Sequence, residues 1–218
     1  MDGTLLNAEK KIGDENKRAL QLAKEQGVEV AIATGRVYYD VQKILQEAGL
    51  TAHIIGTNGA TVHTEQGECL FTQTLDQKDL LKMLQFLEEH ELYYEVFTNK
   101  AIYIFEQGLK WIHDEMAVVE QSHPELVEEL RTWFTAPVVK QRCQTIQDST
   151  IFANLDEDIY KLLVFSFNDA KRTKGWEWVE HLGTYDVVSS GEGNFEVMPK
   201  DISKGSGLRV LAEHLNIP

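Results

Sequence analysis

Between residues 28 and 60 the chain alternates two kinds of segment that have to be buried against each other. The stretch "VEVAIATGR" is rich in β-branched and small residues and ends in Thr34-Gly35, the pattern of a buried strand running into a turn. "VYYDVQKILQEAG" then places Val37, Val41, Ile44, Leu45 and Ala48 on one helical face and closes at Gly49. "HIIGTNGA" is a second short buried strand with a glycine-bearing loop at its end. Ahead of these, "GDENKRALQLAKEQG" reads as a helix with Asp14 as N-cap and Gly27 as a left-handed C-terminal cap. Helix, strand, helix, strand in this order predicts an α/β fold with a parallel sheet.

From about residue 60 the pattern changes. "ATVHT-EQGE-CLFT" predicts a hairpin turning at Gly67, and "DQKDLLKMLQFLEEH" a strongly periodic helix. "LYYEVFT" and "AIYIF" form a second hairpin candidate around Asn99-Lys100. Helices follow at "LKWIHDEMAVVEQ" and "HPELVEELRTWF", the latter with Pro124 in its first turn. The strand "IYKLLVFSF", the helix "DAKRTKGWEWVEHLG" and the strands "YDVVSS" and "NFEVMP" complete an α+β module over residues 76–196. No Ser- or Pro-rich linker flanks the module and no repeat runs through it, so it reads as an insertion into a core of residues 1–75 and 197–218. The last helix, within "KDISKGSGLRVLAEHLNIP", is expected to bury Leu208, Leu211, Ala212 and Leu215, with Lys204 before its first turn.

A formal charge of −14 argues against nucleic-acid and anionic-membrane partners, because phosphate backbones repel such a surface. It leaves room for a small phosphorylated metabolite, since one metal ion, one lysine and a few backbone N–H groups make a local anion site. No run approaches the ~18 apolar residues of a membrane span. Two cysteines, Cys69 and Cys143, are too few for a disulfide framework or a four-ligand zinc site, and a cytoplasmic location is the expectation.

Three features stand at strand ends or a helix start, where open α/β sheets place their ligands. Asp2-Gly3-Thr4 offers a carboxylate on a tight turn, Thr34-Gly35-Arg36 a hydroxyl beside a bare backbone N–H, and Lys204-Gly205 a cation at a helix N-terminus. A carboxylate, a hydroxyl and an ammonium in one crevice suit phosphoryl transfer: two hold the equatorial oxygens and one handles the leaving-group proton. Asn58 and Asn194, each beside a glycine at a strand end, are further candidates. His53 at a strand start reads as structural, and Lys161 as an edge lysine of the module. Trp176 and Trp178, two apart on a helix, cannot share its face, so at most one is a surface aromatic and the other packs inside.

These motifs resemble the haloacid dehalogenase (HAD) superfamily, in particular the Cof-type phosphatases with a type IIB cap, and the resemblance covers the whole chain. "MDGTLL" is similar to the later part of motif one, Asp-x-Asp-Gly-Thr-Leu-Leu; "VEVAIATGR" to motif two; "NFEVMPKDISKGSGL" to the return from cap to core, with Lys204 as the motif-three lysine. The resemblance implies a HAD-like Rossmannoid α/β core with an inserted α+β cap. It also implies a Mg2+-dependent phosphatase of small phosphorylated metabolites, such as sugar phosphates, working through an aspartyl-phosphate. Asp2 would be the acid/base and a metal ligand, Thr34 and Lys204 would hold the phosphoryl group, and Met1, Gly3, Thr4, Gly35, Arg36, Asn58, Gly59 and Asn194 would contact phosphate or substrate.

Two family elements have no counterpart in these residues: the first aspartate of motif one, which is the family's nucleophile, and the metal-binding motif four. Met1 falls on the middle position of motif one, and the 218 residues are expected not to hydrolyse phosphate esters. A phosphate-ester binder without turnover is the alternative. A dinucleotide-binding Rossmann protein or a P-loop protein is disfavoured, because neither G-x-G-x-x-G nor G-x-x-x-x-G-K-[ST] occurs.

Overall fold

The helix predicted over residues 37–49 sets the first half of the core. The computed structural model describes residues 1–121, 127 and 143–217. In it α2 (Tyr38–Glu47) buries Val41, Ile44 and Leu45, and Val37 at its N-cap is 2% exposed. This face packs on Ile32 of β1 (Ala31–Ala33) and Ile54 of β2 (His53–Gly56), with Leu50 and Ala52. The strands pair in parallel, with Ala31 opposite His53. β3 (Thr61–His63) and β4 (Cys69–Thr72) continue the sheet antiparallel, in the order β1-β2-β3-β4. The sheet is thus parallel only at β1–β2, because the hairpin turning at Gly67 supplies the other two strands.

The opposite face of this sheet takes the last helix of the chain. Ile55 and Val62 pack with Leu211 of the helix Lys204–Leu215. A capping box satisfies the N–H groups of Ser203 and Ser206, and Lys204 is the first residue of the helix rather than a residue before it. The expected apolar face is rotated: Leu208 is 53% exposed and Gly207 is buried in its place. A β-carbon at Gly207 would lie 2.6 Å from Ile55 Cγ2, so the helix rests on the sheet at its glycine rather than at a leucine. The helix α1 (Asp14–Glu25) starts one residue earlier than expected, with Gly13 as N-cap, and Asp14 instead sits in the first turn, where its charge suits the helix dipole.

The chain divides into two compact units, Met1–Gln73 with Asp201–Pro218 (unit 1) and Thr74–Lys200 (unit 2). Unit 2 is built on a six-stranded sheet. Its elements are α3 (Gln77–Glu89), β5 (Tyr93–Thr98), β6 (Ile102–Phe105), α4 (Glu106–Val119), β7 (Cys143–Ile146), β8 (Ile159–Phe165), α5 (Asp169–His181), β9 (Tyr185–Val188) and β10 (Asn194–Pro199). The order is β7-β6-β5-β8-β10-β9, antiparallel except at β6–β7. β10 pairs with β8 and β9 as far as Pro199, which keeps the whole strand in unit 2. The helix predicted around Pro124 lies outside the described residues.

One face of the sheet, with Tyr94, Val96, Leu162, Val164, Phe195 and Val197, is buried against α3 and α5. Both tryptophans pack there: Trp178 stacks on Phe86 at 4.5 Å between ring centroids, and Trp176 meets Phe195 edge-on at 5.8 Å. Neither ring is left as a surface aromatic, because the core cluster is broad enough to receive both sides of α5. Lys161 is not at an edge either; β8 lies between β5 and β10, and the lysine is 4% exposed. His53 is structural: its Nδ1 accepts from the Glu65 backbone N–H at 3.1 Å, leaving Nε2 to face Glu29.

Candidate active site

Three loops of unit 1 meet around Thr34. The Thr34 backbone N–H donates to Ile55 O at 2.9 Å and its carbonyl accepts from the Asn58 N–H at 2.9 Å, so the ends of β1 and β2 are tied together. Its buried hydroxyl accepts from the Arg36 N–H at 3.2 Å. Gly35 faces the side chain of Asn58, whose Oδ1 would stand 2.9 Å from a β-carbon placed there. Thr57, Asn58 and Gly59 have successive φ values of 48°, 58° and 109°. The two non-glycine residues cost on the order of 1–3 kcal/mol each in this region. A β-carbon at Gly59 would collide with the Ser203 carbonyl and lie 3.3 Å from the Lys204 nitrogen. The strained loop is therefore pressed against the N-terminus of the final helix, α6 (Lys204–Leu215). Lys204 is exposed, and its ammonium makes no ion pair among the described residues.

The opening turn is held by a different set of contacts. The Met1 carbonyl accepts from the N–H groups of Thr4, Leu5 and Leu6 and from the Thr4 hydroxyl at 3.0 Å, with Gly3 at φ 68°. Met1, Gly3 and Thr4 thus shape the turn, and the Thr4 hydroxyl is already spent on it. Arg36 grips Asp2 with two parallel bonds, Nε to Oδ2 at 2.9 Å and Nη2 to Oδ1 at 2.8 Å, and Lys10 adds a third at 3.2 Å. The other arm of Arg36 reaches Asp40 Oδ2 at 2.7 Å. The Arg36 bonds hold the Asp2 carboxyl well below the usual carboxylate range. Burial alone would loosen the proton of Arg36, but its bonds to Asp2 and Asp40 outweigh this and raise its pKa.

The structure therefore gathers Thr34, Gly35, Arg36, Asn58, Gly59 and the start of α6 in unit 1, with Asp2 attached through Arg36. Asn194 belongs to unit 2, where its Oδ1 accepts from the backbone N–H and hydroxyl of Ser190 at 3.1 and 3.3 Å. The residues that sequence reasoning missed are Lys10 and Asp40; the latter stands four after Arg36 on a helix, a spacing that favours an ion pair. Thr57 and Thr61 hydroxyls are also buried beside the loop with no hydrogen-bond partner among the described residues. A cavity of about 630 Å³ opens in unit 2 near Asp76, Lys100 and Glu157, and none of the residues gathered around Thr34 lines it.

The residues described do not fit a Mg2+ site. Both oxygens of Asp2 are committed to cationic side chains, and no group of three His, Cys, Asp or Glu side chains among the described residues is placed to hold a metal ion.

Comparison with known proteins gives this geometry a lineage. The family model described as haloacid dehalogenase-like hydrolase matches residues 1–218. The phosphatase YwpJ of Bacillus subtilis (strain 168) is 34% identical over 229 residues, covering 100% of this chain and 78% of that protein. The same organism's 5-amino-6-(5-phospho-D-ribitylamino)uracil phosphatase YwtE is 32% identical over 215 residues, covering 98% and 74%. A solved haloacid dehalogenase-like hydrolase from B. subtilis superposes with a TM-score of 0.81 at 35% identity, over 100% of this chain and 77% of that one. No helix among the described residues is long and apolar enough to cross a membrane. The match of the family model over the whole chain, together with these relatives, places this chain in the haloacid dehalogenase-like hydrolase family.

Proposed function

We propose that the scaffold is that of a phosphatase of small phosphorylated metabolites, and that the anion is held where the Thr34 and Asn58–Gly59 loops meet the start of α6. The observation that carries this reading is the pressing of Gly59 against Ser203 and Lys204. It sets a helix N-terminus, with its partial positive charge, beside an ammonium that has no counter-ion among the described residues. Relatives named as phosphatases, YwpJ and YwtE among them, support the same class of substrate. By the family resemblance unit 2 would act as the cap that selects the leaving group and excludes water, and Asn194 is its candidate substrate residue. Cys69 and Cys143, neither in a disulfide, are compatible with a cytoplasmic setting.

Within this site Lys204 would neutralise the phosphoryl oxygens and the Thr34 hydroxyl would orient one of them. Asp2 is the acid/base of the family resemblance, and its clamp has a chemical consequence. While Arg36 holds both oxygens, the carboxyl stays ionised far below neutral pH and cannot donate a proton to a leaving group. Proton transfer through Asp2 requires the clamp to open. Mg2+ is the cofactor that the family resemblance implies, but the described residues do not assemble its site. With Asp2 clamped and no second carboxylate in the Met1–Leu6 turn, these 218 residues are expected to bind phosphate esters without turning them over.

The test is calorimetric titration with inorganic phosphate, beside a phosphate-release assay with and without Mg2+. Hydrogen bonds to charged groups contribute about 1.5–3 kcal/mol and neutral ones about 0.5–1.5 kcal/mol. Lys204→Ala should therefore weaken phosphate binding more than Thr34→Val, by about tenfold for each ~1.4 kcal/mol of difference. Equal small losses would move the anion site elsewhere. Sustained Mg2+-dependent phosphate release by the 218-residue chain would overturn the account of a clamped, binding-only site.

A further inference from the structure

The sheet of unit 2 carries charge where a sheet centre usually carries none. Glu95 of β5, Lys161 of β8 and Glu196 of β10 are 2%, 4% and 6% exposed. The pairing register places Glu95 and Glu196 on either side of Leu163, in one row across three strands, on the face turned away from α3. Lys161, two residues before Leu163 on the same face, reaches Glu196 Oε1 at 3.0 Å and lies 4.3 Å from the centre of the Phe97 ring. Glu95 takes a hydrogen bond from the Tyr93 hydroxyl at 2.8 Å, and no cationic side chain among the described residues lies within ion-pair distance of it.

Among the described residues this row holds two carboxylates and one ammonium. An ionised carboxylate buried without an opposite charge is strongly disfavoured and takes up a proton instead. We infer that Glu95 stores a proton in the sheet of unit 2 and that Lys161, Glu196 and Ser190 pass its loss on to the β9–β10 turn, as a proton-operated latch. The route is continuous: Glu196 Oε1 also accepts from the Ser190 hydroxyl at 3.0 Å, and the Ser190 N–H holds Asn194 Oδ1 at 3.1 Å. When the Glu95 proton leaves to solvent, Lys161 faces two carboxylates in place of one. Its bond to Glu196 weakens, and with it the anchor of Ser190.

Burial raises the Glu95 carboxyl to about 7, the Glu196 charge adds to the rise, and the Tyr93 bond and the Lys161 charge oppose it. Among the described residues the other titratable groups near this face are Asp186 of β9, opposite Met198 in the register, Cys143 of β7, close to Tyr93, and Glu115 of α4, which is bound to the Ser166 hydroxyl, the Phe167 N–H and Lys171. On β6 the residue opposite Glu95 is Ile104, which brings no charge. A carboxyl whose folded value is raised from 4.5 to about 7 adds stability that is complete below the lower value and is lost as pH rises through the upper one.

Carboxyl-carbon NMR of the glutamate-labelled chain, from about pH 5 to about pH 9, tests the latch. One resonance should titrate near 7 and disappear in Glu95→Gln, and the Ser190 amide should move with the same midpoint in the parent chain and stay flat in the variant. Tyr93→Phe keeps the core volume and serves if Glu95→Gln does not fold. It should raise the midpoint, because the phenol bond favours the ionised carboxylate. Glutamates that all titrate below about pH 5.5 would overturn the stored proton. A Ser190 amide that ignores the titration, or a midpoint that Tyr93→Phe leaves in place or lowers, would overturn the latch.

Discussion

Helix α3 of unit 2 leaves none of Leu80, Met83, Leu84 or Leu87 exposed, whereas α1 of unit 1 buries no residue at all. The contrast extends to the sheets. β8 is flanked by β5 and β10, while β1 is an edge strand with Ala31 and Ala33 exposed. Both helices carry apolar residues on one side, so amphipathicity does not separate them. What separates them is whether the described residues offer a broad apolar surface to receive that side. Stability should therefore be concentrated in unit 2, while the residues gathered around Thr34 belong to the more thinly packed unit.

The largest expected effect follows directly. Leu84→Ala should cost about 2–5 kcal/mol, whereas Leu22→Ala on α1, 45% exposed, should change stability by less than about 0.5 kcal/mol. Urea unfolding followed by amide hydrogen exchange assigns each loss to its unit, since the units need not unfold together. Comparable losses would erase the distinction between them. Gly59→Ala comes next, on the order of 1–3 kcal/mol, because the residue would need a left-handed φ and room already taken by Ser203. Its effect on exchange should stop at unit 1, and weakened protection in β5 or β8 would show that the units share stability.

The smallest effect is electrostatic. Asp2 is depressed below its ordinary 3.8, so its contribution is present above that value and is lost as pH falls further. With Asp2 about half exposed, solvent screening keeps this contribution to about 1 kcal/mol or less. Arg36→Met should flatten the acid limb of a stability profile by that amount. An unchanged limb would mean that the clamp contributes nothing measurable to unit 1.

Local spacing carried the parts of the fold that depend on one element at a time. The face Val41, Ile44 and Leu45 was legible because helical period alone decides it, and the turns at Gly27, Gly49 and Gly67 because each needs a positive φ. Lys161 was misplaced because the central position of β8 depends on pairing with β5 and β10, which lie on either side of it in sequence, and no local pattern records that. Leu208 was misplaced for a steric reason: counting apolar residues favours it, but only Gly207 lets the helix backbone approach Ile55. At the candidate site the strand-end positions of Thr34 and Asn58 were readable as residues near turns. The Arg36–Asp2 clamp was not, since it joins residues 34 positions apart by side-chain geometry alone.

The contact between Gly59 and Ser203 also sets an order of events. Unit 2 is one uninterrupted stretch, Thr74–Lys200, and the two halves of unit 1 lie on either side of it. A nascent chain leaving the ribosome can complete unit 2 from its own residues, since domains generally fold as units and the earlier-made parts first. The loop at Thr57–Gly59 is tied to Thr34 and Arg36 by its own backbone, but gains its contact with Ser203 only when the helix Lys204–Leu215 has been made. Pulse-labelled exchange during refolding should show protection in β5 and β8 before protection of the Gly207 amide, which bonds the Ser203 carbonyl, and the reverse sequence would refute this order. The proposed anion cradle is then acquired only after unit 2 has been made, so a growing chain that has just completed unit 2 is still unable to capture a phosphorylated metabolite.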